Sequence, residues 1–247
     1  VWSSRFAPVG LVVAAVVGAL TVARPVHAGQ ARAQPAPSGE RLYQRDCAYC
    51  HGPQGEGTPR GQSIQHIGLA EADYSLTTGR MPKRTPGEER KRRPSRYSHA
   101  EVAALLDFMT PFIGGGPGIP DVDPGSGDLA HGGEVFRAQC ASCHQWAGEG
   151  GGLLGRNAPS LAGATPTQLG EAVRAGPVTM PAFGPATISP HDLDSLAAYV
   201  RYLRAPEDRG GLGLWHLGPF AEGLIAWAVG MVVLIAGLHW IGEREPK

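Results

Sequence analysis

Cys47-Ala48-Tyr49-Cys50-His51 (CAYCH) and Cys140-Ala141-Ser142-Cys143-His144 (CASCH) together hold every cysteine of the chain. A disulfide framework would account for the paired cysteines. It gives no reason for a histidine to follow the second cysteine both times. Two thiols three residues apart can reach the two vinyl groups of one porphyrin, and the next residue then lies beneath the ring, where an imidazole can ligate iron. C-x-x-C-H therefore reads as a c-type haem attachment site. The pattern predicts two covalently attached haem c groups. Cys47 and Cys50 hold the first, with His51 on its iron, and Cys140 and Cys143 hold the second, with His144 on its iron. Two rival readings are weaker. One zinc shared between the pairs would have to join segments far apart in an exported chain. A thioredoxin-like redox pair needs a βαβ context that the sequence lacks.

Working outward, the two motifs sit in a repeat. With Cys47 set against Cys140, Gly39 matches Gly132, Leu42 matches Val135 and Tyr43 matches Phe136. Each copy reads as a short helix leading into the cysteines and a second helix closing the unit. The first closing helix begins at Ser98, with Glu101 placed to complete a capping box. The second begins at Ser189, with Pro190 in its first turn and Asp192 in the acid position. Leu105, Phe108 and Met109 share a face of the first, and Leu193, Leu196, Val200 and Leu203 share a face of the second. The modules are assigned to 36–113 and 129–206, joined by a flexible Gly/Pro/Asp linker at 114–128. Near 80 residues, a side-chain core alone is marginal, and a large apolar cofactor would make up the difference.

A sixth iron ligand is expected in each module. Haem in electron carriers is often held by His and Met, which raises its potential. Met81 in TGRMPKR and Met180 in VTMPAFG both precede a proline and both lie in a loop before the closing helix. They are the predicted axial ligands. His66, His99 and Met109 compete in the first module and His191 in the second. Directly after the Met81 loop comes a basic run, Arg80 to Arg96, with eight Lys or Arg and two acids. It reads either as a solvated loop or as a docking surface for an acidic partner beside the first haem.

The 247 residues carry 22 basic and 22 acidic side chains, so no overall field points to nucleic acid. With 36 Gly and 22 Pro, the chain is rich in turns. Arg5, the apolar stretch 6–23 and the small-x-small Val26-His27-Ala28 make residues 1–28 a signal peptide or an N-terminal anchor. Leu217 to Ile241 has Glu222 as its only formal charge and aromatic residues near both ends, as a membrane-spanning helix does. Haem domains outside the cell leave 242–247 as a cytoplasmic tail.

Each module resembles a class I cytochrome c domain. The whole layout, ending in the anchor LGPFAEGLIAWAVGMVVLIAGLHWIGERE, resembles the dihaem cytochrome c subunit of the actinobacterial cytochrome bcc complex, a menaquinol–cytochrome c reductase. The resemblance implies a mainly α fold of two tandem class I domains and a C-terminal transmembrane helix. It also implies a redox subunit of a translocase, relaying electrons from the Rieske iron–sulfur subunit to a terminal cytochrome c oxidase beside a cytochrome b subunit in the cell membrane. The Arg80–Arg96 run matches no part of that pattern. Two alternatives remain: a membrane-tethered dihaem carrier serving another dehydrogenase or oxidase, and a dihaem cytochrome c peroxidase.

Overall fold

The structure is a computed structural model that describes residues 38–153, 156–207 and 219–243. The expected signal or anchor at 1–28 lies outside the described residues, as do 217–218 and 244–247.

In the first module, α1 (Gly39–Asp46) leads into the short α2 (Ala48–His51), followed by α3 (Gly68–Thr77) and α4 (His99–Met109). The second repeats the plan with α5 (Leu129–Gln139), α6 (Ala141–His144), α7 (Pro166–Ala175) and α8 (Pro190–Leu203). A two-stranded antiparallel hairpin, β1 (Gly151–Leu153) and β2 (Arg156–Ala158), is inserted after α6, with Gly151 opposite Ala158. The capping boxes expected at Ser98/Glu101 and Ser189/Asp192 form, and Thr165/Gln168 makes a third at the start of α7. Each satisfies backbone N–H groups that a helix N-terminus leaves without partners. Helices α3 and α7 have no such clear pattern in the sequence, because their buried faces are dominated by small and polar residues.

Helix α1 crosses α4, and α5 crosses α8. Glycine makes both crossings possible. A Cβ on Gly39 would stand 2.5 Å from the Ala104 carbonyl carbon, and one on Gly132 2.5 Å from that of Ser195. These two glycines, matched in the repeat, let backbone press on backbone. Around the crossings lie two separate cores. Leu42, Tyr43, Leu105 and Ile113 are fully buried in the first, and Phe136, Ile188, Leu193 and Leu196 in the second. Each such side chain contributes about 1.5–3 kcal/mol by leaving water. Tyr43 is packed between Phe108 and Phe112, with ring centroids 5.4 and 5.5 Å away, and Tyr43 Oη donates to Gly52 O at 2.9 Å.

The two modules pack on each other through α3 and α7. The 114–128 segment, expected to be a flexible linker, is instead a strap held at both ends. Ala70 N donates to Pro117 O at 3.0 Å, and Asp123 N donates to Asp194 Oδ1 at 2.9 Å. Val122 packs on the second core. Gly and Pro there serve close approach to α3 rather than freedom: a Cβ on Gly116 would collide with the Ile67 backbone.

Helix α9 (Pro219–Gly242) carries the predicted apolar span. Its Glu222–Gly242 stretch has mean hydropathy 2.2 and no buried residue, and it is long and apolar enough to cross a membrane.

Candidate functional site

In the first module the end of α1 hands the chain to one further turn. Cys47 N donates to Tyr43 O at 2.8 Å, and the N–H groups of Cys50 and His51 both donate back to Cys47 O, at 3.1 and 2.9 Å. That turn presents Cys47, Cys50 and His51 to a single cavity of about 660 Å³. Met81 lines the same cavity from the opposite segment, and Ile67 and Leu76 contribute apolar wall. His51 Nδ1 lies 2.7 Å from Gln62 O. A carbonyl only accepts, so Nδ1 must carry the proton, which leaves the Nε2 lone pair free for a metal.

The second module repeats this arrangement. Cys143 N and His144 N donate to Cys140 O at 3.1 and 2.8 Å. His144 Nδ1 donates to Pro159 O at 3.0 Å, which again frees Nε2. Burial lowers the His144 pKa and so favours the neutral ring that a metal needs. Cys140, His144 and Met180 line one cleft with Phe136, Leu169 and Val200. Cys143 is half-buried on the same turn but is not part of the cleft wall. This cleft is narrower, about 50 Å³, so its walls must part to admit a porphyrin.

The donor sets fit haem c. All four cysteines are free thiols. Burial pushes Cys47 up to about 12 and Cys140 up to about 11, which favours the neutral thiol in both. Among the described residues, the one group of three converging His, Cys, Asp or Glu side chains is His131, His191 and Asp192, so the four cysteines do not meet in a shared metal site. Of the competing ligands, His66, His99 and His191 are exposed and line neither cavity. Met109 is buried in α4 and borders the first cavity as packing.

The Arg80–Arg96 run is tied to the fold at some of its side chains, while Arg84, Lys91, Arg92 and Arg96 stay exposed. Arg90 pairs with Glu71 of α3 at 3.1 Å, and Arg93 pairs with Glu88 at 2.7 Å. Arg92 crosses to the second module, where its Nη2 donates to Gly163 O at 2.5 Å and to Gln168 Oε1 at 3.0 Å. Arg80 is buried, 6% exposed. Charge patterning in sequence marks a basic stretch, but the folded partners of Arg90 and Arg92 come from residues distant in the chain.

The same interface buries Glu171 of α7 completely, with neither carboxyl oxygen meeting a hydrogen-bond donor. Its neighbour is the Asp73 carboxyl of α3, another acceptor. Desolvation, then the Asp73 carboxyl beside it, raises Glu171 to about 10, which favours its neutral acid form.

Comparison with known proteins completes the picture. A family model described as cytochrome c matches residues 36–110, and one described as cytochrome c oxidase, cbb3-type, subunit III matches 127–200. The cytochrome bc1 complex cytochrome c subunit of Corynebacterium diphtheriae is 34% identical over 84% of this chain and 80% of its own length. That of Mycobacterium tuberculosis is 34% identical over 84% of this chain and 78% of its own.

The chain belongs to the family of cytochrome bc1 complex cytochrome c subunits.

In this family member the two repeats are two cytochrome c domains, which imply covalently bound haem c and an electron-transfer role. The mainly helical fold with one candidate membrane span agrees with the expectation from sequence. The sequence did not reveal the Gln62 and Pro159 carbonyls that orient the two histidines, because a backbone carbonyl leaves no mark on residue type.

Proposed function

We propose that the protein is the dihaem c electron-transfer subunit of a quinol–cytochrome c reductase. Cys47 and Cys50 bind one haem through thioethers, with His51 and Met81 on its iron. Cys140 and Cys143 bind the other, with His144 and Met180. Bound haem supplies a one-electron iron couple. The chain's own groups hold it: the thiols fix the ring, the Nδ1 hydrogen bonds aim the imidazoles, and the apolar walls exclude water. His51 with Met81, and His144 with Met180, would hold the two irons and leave no open position for a substrate, which favours relay over peroxidase chemistry. Electrons arrive from the Rieske iron–sulfur subunit, after quinol oxidation on the cytochrome b subunit, and leave to a terminal oxidase. The α9 helix anchors the chain, with the haem domains on the extracytoplasmic side. Membership of the family supports this reading of the partners and of the orientation.

The observation that carries the reading is the repeated cleft, in which a CxxCH turn and a loop methionine meet. The test is purification from membranes in mild detergent. Cytochrome b, Rieske and oxidase subunits are expected to co-purify, and the denatured chain is expected to keep two haems by mass. Loss of haem on denaturation, or isolation without a cytochrome b, refutes the proposal.

A further inference from the structure

Arg80 and Met81 are adjacent in sequence yet face different clefts. Met81 lines the first-domain cavity, whereas Arg80 lines the cleft of the second domain beside Cys140, His144 and Met180. Arg92 joins it there, so the first domain contributes a wall of two cations to the second domain's cleft.

Arg80 is held as if for a ligand. Its guanidinium lies over the Tyr74 ring, 4.7 Å from the centroid, and this cation–π contact fixes its plane. Its Nη1 is buried and has no hydrogen-bond partner. A guanidinium taken out of water costs several kcal/mol unless an anion and further hydrogen bonds replace the solvent. Among the described residues, Nη1 meets no acceptor. Glu171 is the buried acid of this interface, but both its oxygens are also without hydrogen-bond partners, so it does not pair with Arg80. Arg92 spends its Nη2 on Gly163 and Gln168 and so is pinned against the cleft.

A haem brings two carboxylates on its propionate side chains. A planar guanidinium matches a carboxylate better than any other side chain does. We propose that Arg80, supported by Arg92, is the recognition site for a propionate of the second haem, contributed across the domain interface by the first domain. The inference rests on the haem assignment above. It gives the basic run a role that the sequence left open: the domain that binds the first haem completes the site of the second. A fixed positive charge there disfavours the ferric state and raises the second haem's potential.

The test uses the full-length holoprotein in detergent. Met180→His marks the second haem by its changed ferric EPR spectrum, and Arg80→Gln and Arg80→Lys are each made in that background. Covalent haem on each domain is first checked by mass. In an EPR-monitored potentiometric titration, Arg80→Gln is expected to weaken reduction of the marked haem about tenfold, roughly 59 mV for one electron. Arg80→Lys, which keeps the charge without the fork, is expected to lose about threefold, roughly half the shift in potential of Arg80→Gln. If Arg80→Gln does not accumulate, Arg80→Lys carries the test alone, and a potential equal to the parent's overturns the proposal. A marked haem unmoved by either change overturns it, as does a shift confined to the first haem, which would place the effect on the Met81 loop. Absence of any haem on the second domain of the parent would instead overturn the haem assignment, and this inference with it.

Discussion

Gly132→Ala tests the central packing idea, that backbone contact at the α5–α8 crossing holds the second domain together. The added methyl would lie 2.5 Å from the Ser195 carbonyl carbon and 3.0 Å from Tyr199 Cβ. Carbon atoms rest at about 3.5–4.0 Å, so α5 and α8 must separate by about 1 Å. The obstacle is helix backbone, which cannot swing aside. Phe136 packs in this core with Leu196 and Val200, and all three lose contact as the helices part. Overpacking of this kind costs about 3 kcal/mol, or roughly a hundredfold in the opening equilibrium. Hydrogen exchange read by mass spectrometry resolves it locally. Amides of α8 are expected to exchange roughly a hundredfold faster, while α1 and α4 of the first domain act as an internal reference. Gly133→Ala is the control, one residue away. Its methyl would meet Arg137 Nη1 and Tyr199 Cε2, each at 3.0 Å. Both are ends of side chains that can turn away, and alanine gains about 1 kcal/mol of helix propensity. That variant is expected to protect α8 as well as the parent does. If Gly132→Ala leaves α8 protection unchanged, or if the two substitutions behave alike, the close crossing is not what holds the domain.

Two further outcomes follow from the sites. Met81→Ala is expected to leave the first haem attached but to open its iron, so that added imidazole binds one haem per chain; a ferric spectrum identical to the parent's would assign the ligand elsewhere. Glu171 has a folded pKa of about 10, raised above the ordinary carboxyl range chiefly by burial. The stability it contributes is therefore complete below that ordinary range and is lost as pH rises through the folded value. Glu171→Gln puts a neutral side chain of the same shape there that does not titrate, and is expected to flatten the decline of the unfolding midpoint between roughly pH 5 and 9. An unchanged slope would show that burial of Glu171 does not set the pH dependence.

Much of the site was legible because its chemistry is local. Cys47, Cys50 and His51 need only one helical turn to converge, and a five-residue pattern fixes that turn whatever surrounds it. The capping boxes at Ser98 and Ser189 are local in the same sense, spanning three residues. The placement of Met81 and Met180 rested on the repeat: two loops in matching positions mean the same thing twice, and each lines its own CxxCH cleft. The apolar span at α9 was legible because length and hydropathy are properties of composition alone.

What the tertiary structure decided is everything between the two repeats. Nothing in the 114–128 segment says that Pro117 binds the backbone of Ala70 or that Asp123 meets Asp194, because those partners belong to helices elsewhere in the chain. Helices α3 and α7 escaped notice for a related reason. Their outer faces meet each other, so residues that would be polar surface in an isolated domain, such as Glu171, are buried in the pair. The basic run shows the limit most clearly. In sequence Arg80, Arg90, Arg92 and Arg93 are equivalent charges, but folding gives each a different partner: Tyr74, Glu71, the Gly163 carbonyl and Glu88. Charge is a property of the residue, whereas burial and pairing belong to the neighbours that the fold supplies.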